Sequence, residues 1–106
     1  MIQPFQQTHN VDDNGNPTGG VTTGTGLTIK WQNGPLLTDR GRADPNGAFV
    51  ETVIAAAIGR LEHYQASKFK CHENQMALGF LHAALEHLNA RTANRQARGV
   101  EGTHNV

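Results

Sequence analysis

At 106 residues the chain has the length of one domain, and a domain of that size buries only about 65% of the surface its unfolded form exposes. With 37% apolar, 6% aromatic and 17% charged residues it is thin for a self-sufficient monomer, so part of its core is expected to be shared in a homo-oligomer. Nine Lys and Arg balance nine Asp and Glu, which leaves no overall field to hold DNA or an anionic membrane.

Nothing in the chain reads as a signal peptide, and the longest apolar run, Val53–Ile58, is far below the ~20 residues that span a bilayer. The expectation is a soluble protein. The single cysteine, Cys71, cannot form an internal disulfide, which fits a reducing cytoplasm and excludes a cysteine-rich zinc module.

Seven of the twelve glycines and all four prolines stand in the first 46 residues, whereas the remainder is rich in Ala, Leu, Arg and His. Asp12-Asp13-Asn14-Gly15-Asn16-Pro17 is dense in turn formers and predicts a hairpin between two Thr- and Val-containing stretches. The run Gly19–Gly26 lacks the Lys-Ser or Lys-Thr ending of a P-loop and opens no helix, so its glycines read as backbone permissiveness. Leu27–Gln32 alternates strictly, with Leu27, Ile29 and Trp31 on one face, and predicts a strand.

Asn33-Gly34-Pro35 predicts a turn, and Asp39–Gly47 a loop carrying Arg40 and Arg42. Val50, Val53, Ile54, Ala57, Ile58, Leu61 and Tyr64 then recur at helical spacing. Ser67–Cys71 links this first helix to a second, whose stripe is Ala77, Phe80, Leu81, Ala84, Leu85 and Leu88 and which ends at or before Gly99. Gly59 and Gly79 interrupt good helix formers, at about 1 kcal/mol each relative to Ala, which suggests close backbone approach between helices or subunits. The expected fold is α+β, with N-terminal antiparallel β-strands packed with a C-terminal two-helix antiparallel hairpin. It would form a single domain over 1–106, β-rich over 1–46 and helical with a C-terminal tail over 47–106.

The apolar stripe of the second helix, continued outward, reaches Asn74 at one end and Arg91 at the other. Arg91, Arg95 and Arg98 stand at i, i+4 and i+7 and stack three guanidinium groups on one face. Their forked donors match phosphate or carboxylate oxygens and their planes stack on flat π systems, so such a face suits a nucleotide. The alternative is a solvated face favoured by the helix dipole. Tyr64 offers a ring for a base, or simply packs in a core.

Six histidines raise the question of a metal. His82 and His87 are five apart and Cys71 and His72 are adjacent, neither being common ligand spacing on a helix, so no metal and no cofactor is expected. No orienting acid accompanies Cys71-His72 and no paired carboxylates mark a hydrolytic site, so no catalytic residues are assigned.

Three segments, Cys71-His72-Glu73-Asn74, Leu88-Asn89-Ala90-Arg91-Thr92-Ala93-Asn94-Arg95 and Arg98-Gly99-Val100-Glu101-Gly102-Thr103-His104, resemble the hallmarks of the phage Thoeris anti-defence and anti-CBASS sponge proteins. Trp31-Gln32-Asn33-Gly34-Pro35 and the Asn46-Gly47 turn are similar as well. The likeness runs from about Ile29 to His104 and leans to the Thoeris anti-defence branch. It implies a non-enzymatic helical-hairpin protein of a phage or prophage, acting in the cytoplasm of the infected bacterial host for immune evasion. Such a protein would sequester cyclic ADP-ribose isomers, or related cyclic nucleotides, as a homo-oligomer: a dimer, or a hexamer built from dimers.

The resemblance also implies roles for residues. Tyr64 would stack on a base, Asn74 would hydrogen-bond ribose or phosphate, and Arg91 would stack or pair with phosphate. Arg95, Arg98, Thr103 and His104 would complete and close the ligand site. Two departures bear on ligand choice: His72 stands where the family usually has Arg, and neither the Arg40–Asp44 loop nor the first 25 residues follow the family pattern. Competing readings are an enzyme that degrades the same nucleotides and a hairpin assembly module with no small ligand.

Overall fold

The computed structural model describes residues 1–106 and divides into two compact units, Met1–Phe49 with Val100–Val106, and Val50–Gly99. In the first, β1 (Phe5–Gln7), β2 (Thr18–Gly24) and β3 (Leu27–Asn33) form an antiparallel sheet in the order β1-β2-β3. The Asp12–Pro17 segment turns the chain between β1 and β2. Both the Asn14 and Asn16 amides donate to the Asp12 carboxylate, at 2.9 and 3.0 Å. The bond from Asn16 is the main reason that this carboxyl ionises below its ordinary range.

The alternating stretch is β3, and the glycine-rich run before it is also a strand. Register pairs Thr22 with Ile29 and Gly20 with Trp31. The indole of Trp31 donates to the Thr22 hydroxyl at 2.8 Å, which satisfies a polar side chain that is only 3% exposed. The predicted loop over 39–47 contains a strand, β5 (Gly41–Arg42), which pairs with β4 (Leu37–Thr38) just before it. The Thr38 hydroxyl donates to the Gly41 carbonyl at 2.7 Å and closes this small hairpin.

The free edge of β3 is covered by the segment leading to the first helix, because Ala48 makes a parallel bridge to Trp31. Ala48 donates to the Lys30 carbonyl at 2.7 Å, and Gln32 donates to the Ala48 carbonyl at 3.1 Å. Asn46 reinforces the bridge with its side chain, accepting from the Asn33 amide at 2.8 Å and donating to the Asn33 carbonyl at 2.9 Å. Its own amide donates to the Gln32 side chain at 2.9 Å. Two of the segments that resembled the family, Trp31–Pro35 and Asn46-Gly47, are therefore one clamp, and what they build is scaffold.

The second unit is a helical hairpin of α1 (Val50–Gln65) and α2 (His72–Ala97). Its core is Ile58 and Leu78, 5% and 7% exposed, flanked by half-buried Val53, Ile54, Leu61, Ala77, Leu81, Leu85 and Leu88. The stripe facing α1 thus runs through Leu78, and Phe80, expected on it, is 70% exposed. Phe80 lies two residues from Leu78, which on a helix is a rotation of about 200°. The chain has an α+β arrangement, as its patterning indicated.

The helix link is held by Gln65. Its side-chain amide donates to the Cys71 carbonyl and its side-chain oxygen accepts from the Cys71 amide, each at 3.0 Å. Cys71 caps α2 without a side-chain bond; Gln65 instead satisfies the backbone amide of the N-cap residue itself, the group that the N3 side chain of a capping box would take. Gln65→Ala is expected to lower the unfolding free energy by about 1–2 kcal/mol, read by urea denaturation.

Candidate functional site

The candidate residues fall in different parts of the molecule. Tyr64 is in the last turn of α1 and Asn74 in the first turn of α2, while Arg91, Arg95 and Arg98 lie at the far end of α2. Seventeen residues separate Asn74 from Arg91, about 25 Å along the axis. One small ligand cannot touch both within a single chain. Thr103 and His104 belong to the tail that packs in the first unit.

Tyr64, 37% exposed, carries Arg60 over its ring at 5.0 Å from the centroid, and the guanidinium Nε donates to its hydroxyl at 3.3 Å. One ring face is therefore covered by a cation, which pre-orients the ring. Arg60 was not singled out in the sequence, although its i, i+4 spacing to Tyr64 is the signal that marks such a pair. Asn74 is half-buried and Arg91 is exposed. Neither side chain has a hydrogen bond or ion pair within the chain, so both keep their donors available.

The three C-terminal arginines lie within about 60° of one another around α2. They differ in state: Arg95 is half-buried, and Arg98, at the C-cap, donates from Nε to the Asn94 side chain at 2.8 Å. Arg91 is the most available of the three. The Thr103 hydroxyl is occupied with the turn it sits in, donating to the Val100 carbonyl at 2.6 Å and accepting from the Asn105 amide at 3.2 Å. His104 is exposed.

The hairpin also carries an open cleft of about 460 Å³ between Glu62, Gln65, Gln75, Leu78, Gly79 and His82. None of the ligand candidates lines it. No three His, Cys, Asp or Glu side chains come together as a metal site, and no helix is long and apolar enough to cross a membrane.

These features define a class: a two-helix hairpin that presents an aromatic, an amide and an arginine face and is preceded by a small antiparallel sheet. The Acb2/Tad1 hairpin-domain profile matches residues 24–93, and the chain belongs to that family. A curated relative, Thoeris anti-defense 1 of Bacillus phage SBSphiJ7, is 49% identical over 77 residues, covering 73% of this chain and 51% of the relative. The chain thus spans about half the length of that relative.

Proposed function

We propose that the chain is a phage anti-Thoeris protein that binds cyclic ADP-ribose-type signalling nucleotides and sequesters them without degrading them. The observation that carries this reading is the pair of unpartnered polar groups at the family's hallmark positions. Asn74 offers an amide and Arg91 a forked cation, with Tyr64 as a π face held by Arg60. Together they match the phosphate, ribose and base of a nucleotide. Nothing in this set provides a positioned nucleophile beside a general base, which is why capture is favoured over turnover.

The site is assembled between copies. Asn74 and Arg91 are equidistant from the middle of α2 near Ala83, so two antiparallel α2 helices crossing there bring Asn74 of one copy level with Arg91 of the other. Surface and composition favour such pairing. The chain exposes 8067 Å², whereas two separate compact units of this combined mass would expose only about 7,000 Å². On α2 Met76 and Phe80 are 48% and 70% exposed, and Gly79 between them has open space where a Cβ would stand. Gly59 on α1 is equally open, so the close approach suggested by these two glycines is not made within the hairpin. A helix from a second copy fits it.

Calorimetry against cyclic ADP-ribose isomers, followed by chromatography of the ligand released on denaturation, tests this. The expected result is saturable binding with the ligand recovered intact and a stoichiometry set by the oligomer. Recovery of a cleaved product would establish an enzyme instead, and absence of binding to every isomer would leave an assembly module.

A further inference from the structure

The first unit contains three Asn-Gly dipeptides, Asn14-Gly15, Asn33-Gly34 and Asn46-Gly47, and all three asparagines are exposed. Such a dipeptide carries its own reaction. The glycine nitrogen can attack the asparagine side-chain carbonyl carbon, because no Cβ on the following residue blocks the approach. Ring closure needs a free carboxamide and a glycine amide able to lose its proton. It also needs stabilisation of the resulting anion, whose charge sits largely on the asparagine carbonyl oxygen.

The three sites differ in these respects. At Asn46-Gly47 the carboxamide is engaged, accepting from the Asn33 amide at 2.8 Å and donating to the Asn33 carbonyl at 2.9 Å, and Gly47 is pressed against the Trp31 backbone. At Asn14-Gly15 the Gly15 amide already donates to the Asp12 carbonyl at 3.0 Å. The Asp12 carboxylate, accepting from the Asn14 amide at 2.9 Å, adds a negative charge that opposes a second one beside it.

Asn33-Gly34 is under none of these restraints. The Asn33 carboxamide makes no bond within the chain, and neither does the Gly34 amide. Gly34 stands in open space with a φ of +83°. Meanwhile the Asn33 carbonyl oxygen accepts from Asn46 Nδ2 at 2.9 Å and, more weakly, from Gln32 Nε2 at 3.4 Å. Two amide donors thus point at the atom on which the charge of a deprotonated Gly34 nitrogen collects, and they favour that anion.

We infer that Asn33 is a self-modification site, converting to aspartate and isoaspartate through a succinimide formed with Gly34, and that the isoaspartate form opens the Asn46 clamp. Gly34 N gives its proton to hydroxide and bonds to Asn33 Cγ. The Cγ–Nδ2 bond then breaks, and the nitrogen leaves as ammonia with a proton from water. Water opens the ring at Cγ to give aspartate on the native backbone, or at the backbone carbonyl carbon to give isoaspartate. One water is consumed and one ammonia released, with no change of oxidation state. In isoaspartate the chain runs through the side chain with an extra methylene, so the carbonyl that Asn46 holds is displaced.

The test ages the full chain near physiological temperature at mildly alkaline pH, with peptide mapping by mass spectrometry and isoaspartyl methyltransferase labelling. Conversion at Asn33 is expected to be about tenfold faster than at Asn14 or Asn46, and to rise with hydroxide concentration. Equal rates at the three sites, or a faster rate at either of the others, overturn the inference. The aged, isoaspartate-bearing fraction is expected to melt about 5 °C below fresh protein. Asn33→Gln, whose longer side chain closes the ring reluctantly, should age without that loss, and fresh Asn33→Asp should melt with the wild type. Aged Asn33→Gln that loses as much as the aged wild type overturns the link between Asn33 and the clamp, and so does a fresh Asn33→Asp protein that already melts as low as the aged fraction.

Discussion

Arg91→Ala is expected to weaken binding of a cyclic ADP-ribose isomer by about a hundredfold, without lowering the melting temperature of the protein. The asymmetry follows from its surroundings. Arg91 is exposed and makes no bond in the chain, so its removal leaves no buried partner unsatisfied and no cavity. A charge-assisted, forked contact to phosphate is worth more, about 2–3 kcal/mol when water is excluded around it, and that is lost entirely with the side chain. Arg91→Lys keeps the charge and loses the fork, so it should fall between the two. Arg98→Ala is expected to show a smaller effect, because that guanidinium already donates to Asn94 at 2.8 Å. Calorimetry on the three variants beside thermal denaturation checks the order, and equal losses at Arg91 and Arg98 would contradict it.

Gly47→Ala is expected to be strongly destabilising to the first unit. A Cβ at this position would stand 2.5 Å from the Trp31 carbonyl carbon, 2.6 Å from its oxygen and 2.7 Å from the Gln32 nitrogen. These are backbone atoms of β3 and cannot swing aside as a side chain could. Accommodating the methyl means pulling Ala48 off the strand, with loss of its bonds to Lys30 and Gln32. The expected cost is about 3 kcal/mol, or a fall of more than about 10 °C in the melting temperature for a domain of this size. Asn46→Ala, which removes two side-chain bonds to Asn33, should cost about 1–2 kcal/mol at the same clamp. Thermal melts followed by circular dichroism separate the two, and a Gly47→Ala protein as stable as the wild type would refute the steric argument.

Much of the scaffold is written locally. Strict alternation from Leu27 to Gln32 placed β3, and the helical recurrence from Val50 to Leu61 placed α1, because period alone decides which face of an element is apolar. The glycine-rich run that became β2 carries no such alternation. It is a strand because β1 and β3 pair with it on either side, and the local sign of it was the turn-rich Asp12–Pro17 segment before it. Phe80 is apolar at a plausible helical position, yet the partner helix selected Leu78. The sequence cannot distinguish the two, since residues within half a turn of a stripe differ only in what packs against them.

The arginine face divides in the same way. Its spacing and its charge were legible from Arg91, Arg95 and Arg98 in a row, because i, i+4 and i+7 coincide on any helix. Their inequality was not. Arg98 is bonded to Asn94 and Arg95 is half-buried, while Arg91 stands clear. Nor did the sequence indicate that Arg42 meets Glu101, a pairing across 59 positions that depends on the chain returning to the β4–β5 hairpin. By itself the sequence determined β3, the two helices, the arginine row and the likeness to a family, since each rests on residues near one another in the chain. Only the tertiary structure decided which apolar residues of α2 face α1 and that Arg42 meets Glu101, because both depend on distances in space.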